Sequence, residues 1–218
     1  MAKEKRHELW ISGDRIYAQR TGRPGRERRA GHWAGFKGHR AFDAFTDNET
    51  GFISERDSFY VATTSETGWP YIQHRGGPRG FLKVLDEKTL GFADFSGNRQ
   101  YISTGNIAAN NRVCLFLMDY PRRARLKIYA RAEIRRLPLD DGLSAKLALP
   151  GYKGKVERAM LFHLEAFDWN CAQHITPRFT DAEITAAIAP LRSHVASLES
   201  ENASLRAKLA ALEVIPRS

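Results

Sequence analysis

Gln73-His74-Arg75-Gly76-Gly77-Pro78-Arg79-Gly80-Phe81, QHRGGPRGF, interrupts a run of strand-like sequence. Trp69-Pro70-Tyr71-Ile72 leads into it and Phe81-Leu82-Lys83-Val84-Leu85 leaves it, but its centre is glycine, proline and two arginines. Two readings stand side by side. A Gly-Gly-Pro segment makes a turn, because glycine reaches backbone conformations that other residues avoid and proline fixes φ. Glycines without side chains also let a flat or anionic ligand approach the backbone, with Arg75 and Arg79 placed to meet a negative charge.

Outward from this stretch the chain reads mainly as β-structure. Phe59-Tyr60-Val61-Ala62-Thr63-Thr64 is rich in aromatic and β-branched residues, and Ser65-Glu66-Thr67-Gly68 supplies a hairpin turn before the strand that ends in Gln73-His74. Phe81–Leu85 and Leu90–Phe95 form a second hairpin, with Asp86 suited to open the turn. Val113–Met118 is almost wholly apolar, which predicts burial on both faces. In residues 125–134, Leu126, Ile128, Ala130, Ala132 and Ile134 alternate with charged residues and Tyr129, the period-two signature of a half-buried strand. Leu161–Phe167 reads as a last strand. Helices are expected after a cap at Thr46 or Asp47, between Ser96 and Asn111, and as one or two pieces within 140–160, broken at Pro150-Gly151. Six or seven strands with few helices predict a small, closed or half-open β-barrel with flanking helices.

The tail is of another kind. After Pro177 and the capping-box pattern Thr180-Asp181-Ala182-Glu183, a long C-terminal helix is expected to about Glu213. Leu191, Leu198, Leu205 and Leu212 recur every seven residues, and Val195, Asn202 and Leu209 complete an a/d seam with Asn at the middle a position. Either the helix zips to a second copy or its apolar stripe packs on its own barrel. The expected organisation is a basic arm over 1–45, a barrel domain over 46–178 and the helix over 179–218.

The 218 residues carry a net charge of +9. Of this, +7 lies in residues 1–40, where eleven Lys and Arg stand against four acids, so the barrel and tail are close to neutral. This distribution fits a solvated arm, or one draped over a partner subunit, rather than a nucleic-acid-binding face. No run of apolar residues is long enough for a membrane span and the first residues lack the apolar core of a secretion signal, so a cytoplasmic protein is expected. Cys114 and Cys171 lie far apart without metal-ligand spacing, so neither a metal site nor a disulfide framework is predicted.

No GxSxG, HExxH or P-loop motif occurs, so the usual hydrolase, zincin and nucleotidase signatures are missing. Phosphate-friendly residues remain. Ser96-Gly97-Asn98-Arg99-Gln100 follows a strand and precedes a predicted helix, where unpaired N–H groups and the helix dipole favour an anion and an arginine can donate as a fork. Arg75, Arg79 and Lys83 are expected to converge on the same anion.

These residues also carry a resemblance. The series Pro70-x-x-x-x-Arg75, Phe81-Leu82-Lys83, Gly91-Phe92-Ala93-Asp94-Phe95-Ser96, Asn98-Arg99-Gln100 and Ala108-Ala109-Asn110-Asn111-Arg112-Val113, with Asp168-Trp169-Asn170-Cys171-Ala172-Gln173-His174 near the end, resembles the pyridoxamine 5′-phosphate oxidase-like, FMN-binding split-barrel superfamily over about residues 50–176. The resemblance is strongest to its FMN-dependent members with QHRGGPxGF, GNRQ and DWNCxQH. It implies a split barrel that forms a homodimer, with FMN in a cleft between the subunits. It also implies that Arg75, Ser96 and Arg99 hold the FMN phosphate together with Arg79 or Lys83, that Asn98 and Gln100 stand at the helix start, Gln100 replacing a family lysine, and that Trp169 lies close to the cofactor. Gln73, His74, Gln173 and His174 are candidates for the ring or substrate. The C-terminal Arg-His pair with which the oxidases bind substrate has no counterpart, which argues against pyridoxamine phosphate.

The implied activity is that of a flavin-dependent oxidoreductase acting on a small molecule, with NADH or NADPH a candidate electron donor. A cofactor that supplies the redox chemistry leaves the protein to bind and orient, in keeping with the missing acid–base signature. The competing reading is a flavin- or haem-binding protein for storage or sensing, since a fold does not fix an activity.

Overall fold

A computed structural model describes residues 43–97, 100–169 and 173–213. The basic arm, Asn98, Arg99 and Asn170–Ala172 lie outside the described residues. Tertiary contacts divide the chain into two compact units between Ile175 and Thr176.

The first unit opens with helix α1 (Asp47–Ser54). Its start is a capping box: Thr46 and Glu49 exchange side-chain and backbone bonds, satisfying N–H groups that the first turn leaves unpaired. Among the described residues seven strands follow, β1 (Ser58–Thr64), β2 (Pro70–Gly76), β3 (Lys83–Asp86), β4 (Thr89–Phe95), β5 (Arg112–Asp119), β6 (Ala124–Arg136) and β7 (Val156–Trp169). Helix α2 (Ile102–Ala109) lies between β4 and β5, and α3 (Asp141–Leu147) between β6 and β7. Every pairing is antiparallel, and the sheet order is β2-β1-β5-β6-β7-β4-β3.

The sheet order puts β2 and β3 at opposite ends, and the sheet curls until these ends meet. Phe59 on β1 lies fully buried against Phe81, Phe92 and Phe162, which belong to the β3–β4–β7 end. Leu115, Leu117, Leu126 and Ile128 fill the interior from β5 and β6. Several rings meet edge to face, the arrangement their quadrupoles favour. The expected mainly-β, split-barrel fold is what forms.

QHRGGPRGF is therefore no hairpin between neighbouring strands. It carries the chain from one end of the sheet to the other. Two of its three glycines, Gly77 and Gly80, serve the chain's own packing, a role beside the ligand approach expected from sequence. A Cβ on Gly77 would stand 2.7 Å from the Phe81 ring, and one on Gly80 would stand 2.9 Å from the Ser54 carbonyl oxygen at φ +74°. The N–H groups of Gly77 and Gly80 donate to the carbonyls of Asp57 and Arg56, both 2.9 Å. Backbone thus lies against backbone where α1 ends, and a side chain would hold the two apart.

Other boundaries differ from expectation for physical reasons. The helix expected between 96 and 111 is limited to Ile102–Ala109, because Tyr101 takes a left-handed conformation and ends it on the N-terminal side. Within 140–160 only α3 is helical. The last strand begins at Val156 rather than Leu161 and runs to Trp169, since pairing with β4 and β6 recruits polar residues that show no local strand signal. Strand β5 is not buried on both faces: Val113, Leu115 and Leu117 face the core while Cys114, Phe116 and Met118 stay half-exposed.

The second unit contains α4 (Asp181–Glu213), with Pro190 inside it. The Thr180–Glu183 capping box forms as the sequence predicts. No helix among the described residues is long and apolar enough to cross a membrane.

Candidate functional site

Sheet closure brings together charges that sequence spacing keeps apart. Arg75 on β2 and Asp94 on β4 meet with Nη1 2.7 Å from Oδ1. On the other side of Asp94, Oδ2 stands 3.2 Å from Arg158 Nε on β7, where Asp94 and Arg158 are register partners. Arg158 also bonds Glu157 at 2.6 Å, lies over the Tyr101 ring with Cζ 4.6 Å from its centroid and reaches the Thr104 hydroxyl at 3.5 Å. Two guanidiniums thus converge on one buried aspartate at the mouth of the barrel, next to the start of α2.

Burial is the main influence on the Asp94 carboxyl and pushes its pKa up. Arg75 and Arg158 pull the other way, and Glu157 reinforces the rise. The carboxylate is therefore a poorly solvated counter-ion. Among the described residues Arg75 Nε and Arg158 Nε are both buried without a hydrogen-bond partner, the approach of Arg158 Nε to Asp94 being an ion pair that lacks hydrogen-bond alignment. The cluster therefore holds donor capacity that Asp94 does not absorb.

Helix α2 is fixed by two polar pairs across the fold. Ser103 donates to Gln73 Oε1 on β2 at 2.7 Å, and Asn106 donates to Thr63 Oγ1 on β1 at 3.0 Å. Its N-terminus is unlike that of α1. Tyr101, at the cap position with φ 49°, has no side-chain acceptor for the first N–H groups and makes no capping bond. Those N–H groups and the positive end of the helix dipole stand beside Arg158, an arrangement that favours an anion. An open cleft of about 1090 Å³ continues from there between α2, the end of β6 and the start of β7. It is lined by Arg112, Arg131, Arg136, Lys155 and Arg158 against Glu133 and Glu157, so its charge is positive.

The expected site residues separate into groups. Arg75, Gln73 and the exposed Ser96 and Gln100 gather around the barrel mouth and the start of α2. The Ser96 N–H donates to the Lys155 carbonyl at 2.9 Å, which fixes the end of β4. Asn98 and Arg99, between them in sequence, lie outside the described residues. Arg79 is exposed in the turn and Lys83 is half-buried at the start of β3. His74 is exposed, its ring 5.5 Å from that of Tyr60.

Trp169 stands apart. Its indole donates to Glu49 Oε1 at 2.7 Å and meets the Phe52 ring edge to face at 4.8 Å, both on α1. Arg158 and Trp169 lie eleven residues apart on one strand, roughly 35 Å at the usual rise. Gln173 and His174, both exposed, follow Trp169. Trp169 thus makes its polar and ring contacts with α1 rather than with the Arg75 cluster.

Arg158, Asp94, Tyr101 and Ser103 are not among the residues expected from sequence. Arg158 falls in the segment expected to be helical, which hides its place opposite Asp94. An acid in the apolar strand Gly91-Phe92-Ala93-Asp94-Phe95 is the available signal, because a charge at a buried strand position needs a partner. No group of metal-ligating side chains occurs among the described residues.

A family model described as "Pyridoxamine 5'-phosphate oxidase" matches residues 45–158. No curated protein matches the chain. Among solved structures, HupZ of Group A Streptococcus is 20% identical, with 62% of this chain and 99% of that one covered and a TM-score of 0.47. A protein from Clostridium acetobutylicum related to general stress protein 26 of B. subtilis, of the pyridoxinephosphate oxidase family, is 19% identical, with coverage of 63% and 94% and a TM-score of 0.42. An FMN-binding protein from Syntrophomonas wolfei is 12% identical, with coverage of 66% and 96% and a TM-score of 0.43.

Proposed function

The chain belongs to the pyridoxamine 5′-phosphate oxidase family, and from that premise we propose that it is an FMN-dependent oxidoreductase acting as a homodimer on a small molecule, with a nicotinamide as electron donor. The observation that carries the reading is the start of α2, which the Tyr101 side chain leaves uncapped, beside Arg158 and the aspartate it shares with Arg75. Phosphate fits such a place, because it accepts from several N–H groups at once and its charge is stabilised by both the helix dipole and a guanidinium fork.

When bound, the flavin would supply the hydride chemistry. The protein's part is to bind and orient. Arg75 and Arg158 offer charge, and Asp94 holds their guanidiniums in place. The N–H groups at the start of α2 meet no competing acceptor from the Tyr101 side chain. Gln73 and Asn106 hold the helix against β1 and β2, so that its N-terminus keeps its aim. Ser96, Gln100 and Arg99 belong to the connecting segment that enters this helix, and Arg79 or Lys83 would add a further cation.

A second copy completes the reading. Trp169 ends β7, Gln173 and His174 follow it, and in the proposed homodimer this group would meet the Arg75 cluster of the other subunit. The outer face of β2, β1 and β5 suits that association: Ile72 is 67% exposed and Tyr60 40%, and Cys114, Phe116 and Met118 continue the apolar surface. An apolar surface spread over three strands is a usual sign of a protein interface.

The test is to purify the protein, release its cofactor by denaturation and identify it by mass, then titrate the holoprotein anaerobically with NADH and NADPH. FMN near one per chain and loss of flavin absorbance with either nicotinamide are the expected results. Haem, a different flavin or no cofactor would overturn the cofactor assignment. FMN that neither nicotinamide reduces would overturn the proposed donor.

A further inference from the structure

The apolar seam of α4 is exposed along its length: Leu191 is 63% exposed, Val195 44%, Leu198 50%, Leu205 51% and Leu209 62%. Water would surround five large apolar side chains repeating at 3-4 spacing on a helix of 33 residues. We propose that this seam is an interaction surface whose partner is the same helix of a second copy, in a parallel, in-register, two-stranded coiled coil over residues 191–213.

The charges beside the seam select the partner and the register. With Leu191, Leu198 and Leu205 at d and Val195, Asn202 and Leu209 at a, the g positions hold His194, Glu201 and Lys208, and the e positions hold Arg192, Glu199, Arg206 and Glu213. In a parallel in-register pair each g residue meets the e residue five positions later on the partner copy. His194 then faces Glu199, Glu201 faces Arg206 and, by sequence, Lys208 faces Glu213. Shifting the partner by one heptad either way places Glu201 against Glu199 or Glu213 and His194 against Arg192 or Arg206. The in-register pairing is complementary, and both shifted ones set like against like.

The seam agrees with this choice. Val at a followed by Leu at d favours two strands, and Asn202 at a fixes register because its amide finds a matching amide only across from itself. An antiparallel pair would set Asn202 against a leucine and leave its amide without a partner in an apolar layer. Pro190 lies just before Leu191. It lacks an N–H for the carbonyl of Ala186 and cannot continue regular hydrogen bonding, so the coil begins after it.

Disulfide trapping in the full chain tests the pairing. Leu198→Cys places a thiol at a core d position, where two parallel in-register helices bring the sulfurs together. Ser200→Cys places one on the outer face of the same turn. Mild oxidation should give a covalent dimer with Leu198→Cys at least fivefold above both Ser200→Cys and the unaltered chain, which controls for Cys114 and Cys171. Glu201→Lys should lower the trapped fraction of Leu198→Cys by setting a second cation opposite Arg206, and adding Arg206→Glu should restore it. Equal trapping at 198 and 200, or no rescue by the charge exchange, would overturn the proposal. The assay reads helix pairing alone, so its outcome is independent of the cofactor.

Discussion

Arg75 and Asp94 form an ion pair at 2.7 Å although their strands are not neighbours in the sheet: β2 ends the ladder on one side and β4 lies next to its other end. Their contact closes the barrel without backbone hydrogen bonds between the strands that carry them. Arg158 holds the same aspartate from β7, so the charge cluster is at once part of the closure and the centre of the proposed anion site.

Arg158→Ala removes the guanidinium beside the open start of α2. FMN affinity should fall by about tenfold to a hundredfold, the worth of a charge-assisted hydrogen bond of roughly 1.5–3 kcal/mol. Flavin fluorescence titration on folded protein measures this, and the melting temperature of the apoprotein should also fall, because Asp94 loses one of its two cations. Arg99→Ala should behave alike if its side chain meets the same phosphate. Full retention of FMN by both variants would place the phosphate elsewhere.

The glycine turn gives an opposite pattern. Gly77→Ala and Gly80→Ala should each destabilise the fold by about 1–3 kcal/mol, since one side chain meets the Phe81 ring and the other the Ser54 carbonyl at positive φ. Chemical denaturation gives the loss, and flavin bound per folded molecule should stay unchanged. Loss of flavin with unchanged stability would favour the ligand-clearing reading of QHRGGPRGF.

Glu49 links acid stability to Trp169. Burial is the largest influence and works to raise its pKa. Hydrogen bonds from the Thr46 hydroxyl, the Trp169 indole, the Thr46 backbone and Asn48 together outweigh it and leave the pKa depressed. A carboxyl with a depressed native pKa stabilises the fold above its unfolded pKa, and the contribution is lost as pH falls through the native one. Trp169→Phe removes the indole bond and narrows that window. Acid unfolding followed by far-ultraviolet circular dichroism should begin at higher pH than in the unaltered chain, with stability at neutral pH down by about 1–2 kcal/mol.

Phe116→Glu puts a charge in the outer face of β1, β2 and β5 without touching the Arg75 cluster. If two barrels associate there around the cofactor, FMN occupancy should fall several-fold while circular dichroism stays native. Unchanged occupancy would separate the cofactor site from this face.

Much of the fold follows from local pattern. Alternation from Leu126 to Ile134 marks β6, the aromatic run from Phe59 marks β1, and Thr46 with Glu49 marks the start of α1. What escapes local reading is held by distant partners. Arg158 lies in a strand because β4 and β6 pair with it, and nothing in its own neighbourhood separates Val156–Ala159 from a helix end. Gln73 with Ser103, Thr63 with Asn106 and Trp169 with Glu49 are polar pairs 30, 43 and 120 residues apart. Each becomes legible only after the sheet has closed. Site residues read from sequence are those near a motif, whereas the cluster is assembled by topology.

A barrel whose two ends meet through side chains has a line along which it can breathe. Parting β2 from β4 sacrifices one ion pair and some aromatic contact but leaves every strand ladder intact, so this opening costs less than unfolding any interior strand. Amide hydrogens along the outer edge of β2 should exchange with solvent well before those shared by β5 and β6. That line runs through Arg75, so in the proposed holoprotein a ligand gripped by Arg75 would tighten the barrel as it binds.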